Sequence, residues 1–219
     1  MESDNPWLSW SYVQNNWAVL VAAGLEHLYI TVASLALGIV LAIPLTWVAR
    51  RHAPWAPSLL SGSAILYTIP SLALISALWP LFGLTSLTVI VALALYALLI
   101  LLRGALLGFD GVAADVVDAA RGMGMSDREI MRSVEFPLAL PAILSGLRVA
   151  TVSTVGLVTV GALVGHGGFG TLILGGLNEN FYHAKIFTAT IACVALALIL
   201  DFALRWLESG LTPWSRAAS

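Results

Sequence analysis

The sequence predicts an all-α, polytopic membrane protein of about five transmembrane helices, and three observations predict it. Hydrophobic residues make up 59% of the 219, charged residues only 10%, and mean hydropathy is +0.93. A soluble domain of this length would expose far too much apolar surface. Five runs approach the roughly 20 apolar residues that a helical span needs. Barrel-type alternation is missing from them, and lipid cannot satisfy open backbone groups, so the spans must be helices. The formal net charge of −2 gives no basic footprint for nucleic acid.

The elements follow in chain order. The start, Met1-Glu2-Ser3-Asp4, is acidic and lacks the basic n-region of a cleaved signal peptide, so insertion falls to the first span itself. Residues 1–25 read as an interfacial lead-in: Trp7, Trp10 and Tyr12 favour the headgroup zone, and 17–25 is too short to cross alone. The spans lie at 28–49, 59–80, 84–102, 142–163 and 186–207 within a single transmembrane domain, 26–210, followed by a tail, 211–219. Pro44 and Pro70 fall inside spans and should kink them. Gly146, Gly156 and Gly161 permit close helix approach in the fourth span. Cys193, the only cysteine, lies in an apolar run and reads as a small core residue.

Basic residues set the orientation. Arg50, Arg51, Arg103, Arg121, Arg128, Arg132, Arg205 and Arg216 fall on one side of a five-span chain, and Arg148 is placed to snorkel to that side. Only Lys185 falls in the opposite loops. The positive-inside rule then places the N-terminus outside and both the loop at about 110–141 and the tail in the cytosol.

That loop is the most informative stretch. From Asp115 to Met123, acids come early and Arg121 late, which suits a helix dipole. Gly124 can take the left-handed conformation that ends a helix. Ser126 and Glu129 form a capping box, so a second helix starts at Asp127, with Ile130, Met131 and Val134 on one face and Pro137 and Pro141 marking its end. Small residues Ala119, Ala120, Gly122 and Gly124 let another surface approach. Taken alone, the segment is either a helical connecting loop or a docking element, and the second is modestly favoured.

A resemblance decides between them. Asp118-Ala119-Ala120, three residues, Gly124, nine residues, then Val134-x-Phe136-Pro137 resembles the Glu-Ala-Ala loop of ABC importer permeases, with Asp118, Val134 and Phe136 as conservative departures. It implies the type I (MetI-like) permease fold and a coupling helix that docks on a nucleotide-binding subunit, with Asp118, Ala119, Ala120, Arg121, Gly122, Met123, Gly124, Met125, Ser126, Arg128 and Glu129 as contact residues. Further motifs resemble the osmoprotectant branch (glycine betaine, choline, carnitine): Tyr67-Thr68-Ile69-Pro70-Ser71-Leu72-Ala73-Leu74, Leu95 to Leu99 with Leu102-Arg103, Gly165 to Gly170, and Leu200-Asp201. Ile100, Gly104 and His166 depart from that branch.

The resemblance implies partners: two ATP-binding subunits carrying ATP and Mg, a second permease subunit, and an extracytoplasmic substrate-binding protein. It implies neither a cofactor nor a catalytic site in this chain. Tyr67, Ser71, Tyr96, Thr151 and Thr154 are the candidates for lining the path, with helix packing as the competing role for each. Gly165, Gly167, Gly168 and Gly170 match a dinucleotide fingerprint as a string, but they follow a membrane helix, outside any βαβ unit, so nucleotide binding is rejected. A gate-like loop facing the binding protein is favoured over a merely flexible one.

Other polar residues carry less. Asp201 and Arg205 have the spacing of a helical ion pair. Glu26 and His27 stand at the outer edge of the first span, and His27, His52, His166 and His183 lack metal-ligand spacing. A secondary transporter would show repeats and intramembrane ion ligands, and an intramembrane enzyme would show paired catalytic groups. Neither pattern is evident. A permease for another solute, such as methionine or a phosphonate, is the nearer alternative.

Overall fold

The computed structural model describes residues 5–52 and 54–214. Met1 to Asp4 and the tail from residue 215, with Arg216, lie outside the described residues. A short helix α1 (Trp10–Asn15) leads into α2 (Trp17–Arg51), 35 residues without a break. At 1.5 Å per residue α2 is roughly 52 Å long, against a hydrocarbon core of about 30 Å. The stretch 17–25, expected to be separate from the first span, is its first turns. The helix also runs through Pro44.

The second span is broken rather than kinked. Helices α3 (Trp55–Thr68) and α4 (Ser71–Phe82) meet at 95°. Pro70 explains it: the residue before a proline is driven out of the α region, and Ile69 is extended at φ −64°, ψ 128°. The Ile69 carbonyl released by the break accepts a hydrogen bond from the Tyr96 hydroxyl, as a carbonyl at membrane depth requires. Among the described residues, four helices are long and apolar enough to cross alone, or five spans if the bent pair counts as one.

Helix α5 (Ser86–Asp110) is the most buried span and packs against α2, α3, α4 and a later helix, α8 (Phe136–Val158). Between α5 and α8 small residues form the seam: a Cβ on Gly104 would sit 3.0 Å from the Gly146 Cα, and one on Gly108 would sit 2.7 Å from the Ala139 carbonyl. Gly161 is equally tight, but Gly156 faces open space, so the expected close approach fails there. The main core gathers Ile30, Ile75, Val89, Leu93, Tyr96 and Val158.

Helix α8 does not begin where a helix ends at Pro137. The chain is helical from Asp127 to Val164, through α7 (Asp127–Ile130), a π-turn (Met131–Glu135), α8 and a 3₁₀ turn (Thr159–Val164). Proline lacks an N–H and its ring crowds the carbonyl four residues back. The π-turn widens the coil just ahead of Pro137, with the Phe136 N–H donating to the Met131 carbonyl.

Helices α9 (Phe169–Asn178) and α10 (His183–Leu211) close the bundle. Asp201 does not have Arg205 as its hydrogen-bonded partner. Arg148 of α8 bonds it at 3.0 and 3.2 Å and bonds Glu208 at 3.2 Å, tying α8 to α10. At the far end, Asn5 bonds the Phe181 carbonyl and the His183 N–H, and Trp7 stacks on His183 at 4.2 Å.

Candidate functional site

At the end of the bundle where α2 and α5 both terminate lies a helix-turn-helix whose geometry follows from local chemistry. Helix α6 (Ala114–Gly122) starts with Asp115 and ends with Arg121, charges that match its dipole. Gly124 stands at φ +85°. The Gly124 N–H reaches the Arg121 carbonyl and the Met125 N–H the Ala120 carbonyl, the two bonds of a Schellman cap. Two residues later the Ser126 hydroxyl and the Glu129 carboxylate cap each other's backbone N–H groups and open α7. The Ser126 hydroxyl, which donates to the Glu129 carboxylate at 2.7 Å, and then the Ser126 N–H hold that carboxyl below its ordinary value.

One face of this element is anchored and the other is free. Ala120 and Ile130 are buried at 2% and 3%. Ala119, Gly122, Gly124 and Ser126 are exposed, and a Cβ at Gly122 or Gly124 would meet nothing within 4 Å. Met123, at 76% exposed, projects an apolar side chain from the turn. Asp118, Arg121 and Asp127 pair across the exposed surface at 3.4 and 3.5 Å, interactions that contribute little. Arg128 is exposed and Met125 half-buried.

The anchor extends beyond local chemistry. Arg50, one residue from the end of α2, bonds Glu135 at 2.8 Å and the Met131 sulfur at 3.2 Å, and its guanidinium lies 4.1 Å from the centre of the Phe109 ring on α5. One side chain therefore joins α2, the end of α5 and the π-turn leaving α7. Sequence reasoning counted Arg50 only as a topological charge. Its partner is 85 positions away, and no local pattern announces such a pair.

The residues expected to line a path divide into two groups. Tyr67 and Tyr96 meet edge to face at 5.7 Å beside the Pro70 break, where half-buried Ser71 starts α4. Tyr67 also lines a cavity of about 500 Å³ with Arg103, Ser145 and Ser153. Thr151 and Thr154 are buried at 2%, and the Thr151 hydroxyl bonds the Leu147 carbonyl. The structure thus gathers Tyr67, Ser71 and Tyr96 but seats the two threonines within the helix packing.

The glycine segment is a tightly packed turn. Gly165 and Gly168 have φ of +82° and +52°. A Cβ on Gly167 would fall 2.3 Å from the Ala162 nitrogen, and one on Gly170 2.3 Å from the Thr159 carbonyl oxygen. Gly168 rests on His27, where a Cβ would come within 2.5 Å of the histidine's own. His27 is fully buried, not interfacial. Its Nδ1 accepts from the Phe169 N–H at 3.3 Å, so Nε2 carries the proton and donates to the Val155 carbonyl at 2.9 Å. Glu26 meets His166 at 3.1 Å beside it. Among the described residues no group of three or more His, Cys, Asp or Glu is placed to hold a metal ion.

Comparison with known proteins agrees with this architecture. The family model described as the binding-protein-dependent transport system inner membrane component matches residues 13–213. The chain is 35% identical over 203 residues to the glycine betaine/carnitine/choline transport system permease protein OpuCB of Bacillus subtilis, covering 93% of each chain. It is 34% identical over 207 residues to the osmoprotectant import permease protein OsmW of Salmonella typhimurium, covering 92% of this chain and 96% of that one. A chain from an inward-facing structure of the MetNI methionine ABC transporter shares the fold, with a TM-score of 0.80 over 90% of this chain and 97% of that one at 23% identity. The match spans all the membrane helices, and the chain belongs to the family of binding-protein-dependent transport system inner membrane components.

Proposed function

We propose that this chain is the permease subunit of an ATP-driven importer for osmoprotectants of the quaternary-amine type, such as glycine betaine, choline or carnitine. It is a transport subunit, and ATP hydrolysis belongs to a separate ATPase. Two permease chains, identical or related, enclose the path. An ATPase docks on the 118–137 segment of each, and an extracytoplasmic binding protein delivers the solute. The N-terminus lies outside and the helix-turn-helix in the cytosol, because all but one of the basic loop residues share its side.

The observation that carries the docking role is an element free on one face and fixed on the other. Met123, Ala119 and Gly122 are presented to solvent, while Arg50 binds the element to two spans. A push on it therefore reaches α2, α5 and α8 together. Alternating access follows when ATPase closure favours one of two arrangements through contacts that differ between them. The substrate class is supported by the relatives that carry it at 34–35% identity over nearly the whole chain. The methionine transporter shares the fold at only 23%.

Uptake of labelled glycine betaine, choline and carnitine tests the reading in cells stripped of other transporters for these solutes. Restoration of uptake by the intact chain with its partner subunits, but not by Gly122→Leu, is expected. Gly122 is helical and open, so leucine obstructs the docking face without straining the backbone. Uptake of none of the three by the complete system would overturn the substrate class. Full uptake with Gly122→Leu would overturn the docking role.

A further inference from the structure

A cavity of about 1160 Å³ opens between α2, α5 and α8, against the helix-turn-helix. It exceeds the roughly 300–1,000 Å³ of an ordinary small-molecule site. It also lies on the opposite side of the α5–α8 seam from the Tyr67 cavity: Leu101, Ala105 and Phe109 of α5 face it, whereas Leu99, Arg103 and Leu107 face the other. Its wall is apolar, formed by Ile39 and Ile43 of α2, Leu101 of α5, and Ile143 and Leu147 of α8. Ile43 is 64% exposed, so the wall opens to the flank of the bundle.

The mouth is cationic. Arg50, Arg51, Arg121 and Arg128 line it with Asp127 and Glu135. Arg50 pairs with Glu135, and Arg121 pairs with both Asp118 and Asp127. Among the described residues, Arg51 and Arg128 have no carboxylate partner within 4 Å. Arg51 also lies over the exposed Trp47 ring at 4.8 Å. A tryptophan with an arginine one turn further on is the arrangement that sits at headgroup level, ring in the interface and charge toward water.

We infer that this cavity binds an anionic phospholipid, with an acyl chain along Ile39, Ile43 and Leu147 and the headgroup phosphate between Arg51 and Arg128. An apolar trough ending in arginines fits a molecule with a long apolar tail and an anionic head. Basic pockets between spans at the cytosolic face recognise such lipids. Assignment to the cytosolic leaflet rests on the orientation proposed above. Met131 and Arg128 belong to the helix-turn-helix and its exit, so the bound lipid bridges α2 to the coupling element.

The test is lipid retention, which is independent of transport and of ATPase capture. The full-length chain, purified in detergent with its partner subunits, is titrated with phosphatidylglycerol or with phosphatidylethanolamine of the same chains, and bound lipid is counted by native mass spectrometry. Phosphatidylglycerol is expected to be retained preferentially. Retention should fall about five-fold in Arg51→Gln and about five-fold further when Arg128→Gln is added. Arg132→Gln, on an exposed neighbour outside the cavity, should change nothing. Equal retention of the two lipids, no effect of Arg51→Gln, or an equal loss in Arg132→Gln would each overturn the site. Retention that is lost when the ATPase subunits bind would assign the mouth to the ATPase and overturn it as well. A chain that retains the lipid selectively yet captures no ATPase would keep this site while removing the docking reading.

Discussion

His27 shows how a polar side chain at membrane depth becomes a structural joint. Both ring nitrogens are engaged, one by the Val155 carbonyl of α8 and one by the Phe169 N–H of α9, and its Cβ fills the space that Gly168 leaves open. His27→Ala removes the acceptor of the buried Phe169 N–H, at a cost of about 1–3 kcal/mol, together with the bond to the Val155 carbonyl. The melting temperature of the detergent-purified chain is expected to fall sharply in that variant. It is also expected to fall in Gly168→Ala, whose Cβ would meet His27 in a left-handed backbone. An unchanged melting temperature in both would show that the joint does not hold α2 to the loop. The sequence placed His27 at the outer edge of a span because hydropathy treats a histidine as a boundary. Its partners are 128 and 142 residues away, and one-dimensional patterns do not carry such distances.

At the scale of elements, the helix-turn-helix was legible because every signal in it is local. Gly124 stops one helix, Ser126 and Glu129 start the next, and the charges at the ends of α6 suit its dipole. The broken span was only half legible. Pro70 announces a disturbance, but the Tyr96 hydroxyl that takes up the freed Ile69 carbonyl comes from another helix, 27 residues away. Likewise, the spacing of Asp201 and Arg205 suggests an intrahelical pair, whereas the Arg148 guanidinium, with its fork of donors, reaches both Asp201 and Glu208. Arg50 is the link that joins the helix-turn-helix to the spans. Arg50→Gln removes the Glu135 ion pair and the contact with Phe109 together. Solute taken up per ATP hydrolysed is expected to fall at least about five-fold, equivalent to about 1 kcal/mol of lost coupling. ATPase capture should be retained. An unchanged ratio would show that force reaches the spans by another route.

At the scale of the whole molecule, composition alone separated a membrane bundle from every soluble class, and five apolar runs gave the span count once the bent pair is taken as one. Composition could not show that α5 is the hub, with α2, α3, α4 and α8 packed around it, or that two cavities lie on opposite faces of the α5–α8 seam. In the function and the lipid site proposed above, the two faces serve the path and the surrounding lipid separately, with the helix-turn-helix as the handle at one end. The measurement that tests this account most directly is photo-crosslinking from two exposed positions at opposite ends of the bundle, Met123 on the turn and Phe181 between α9 and α10. With the complete transporter in cells, a crosslinker at Met123 is predicted to capture the ATPase subunit and one at Phe181 is not. Capture of the ATPase from Phe181, or from neither position while uptake remains intact, would contradict the account.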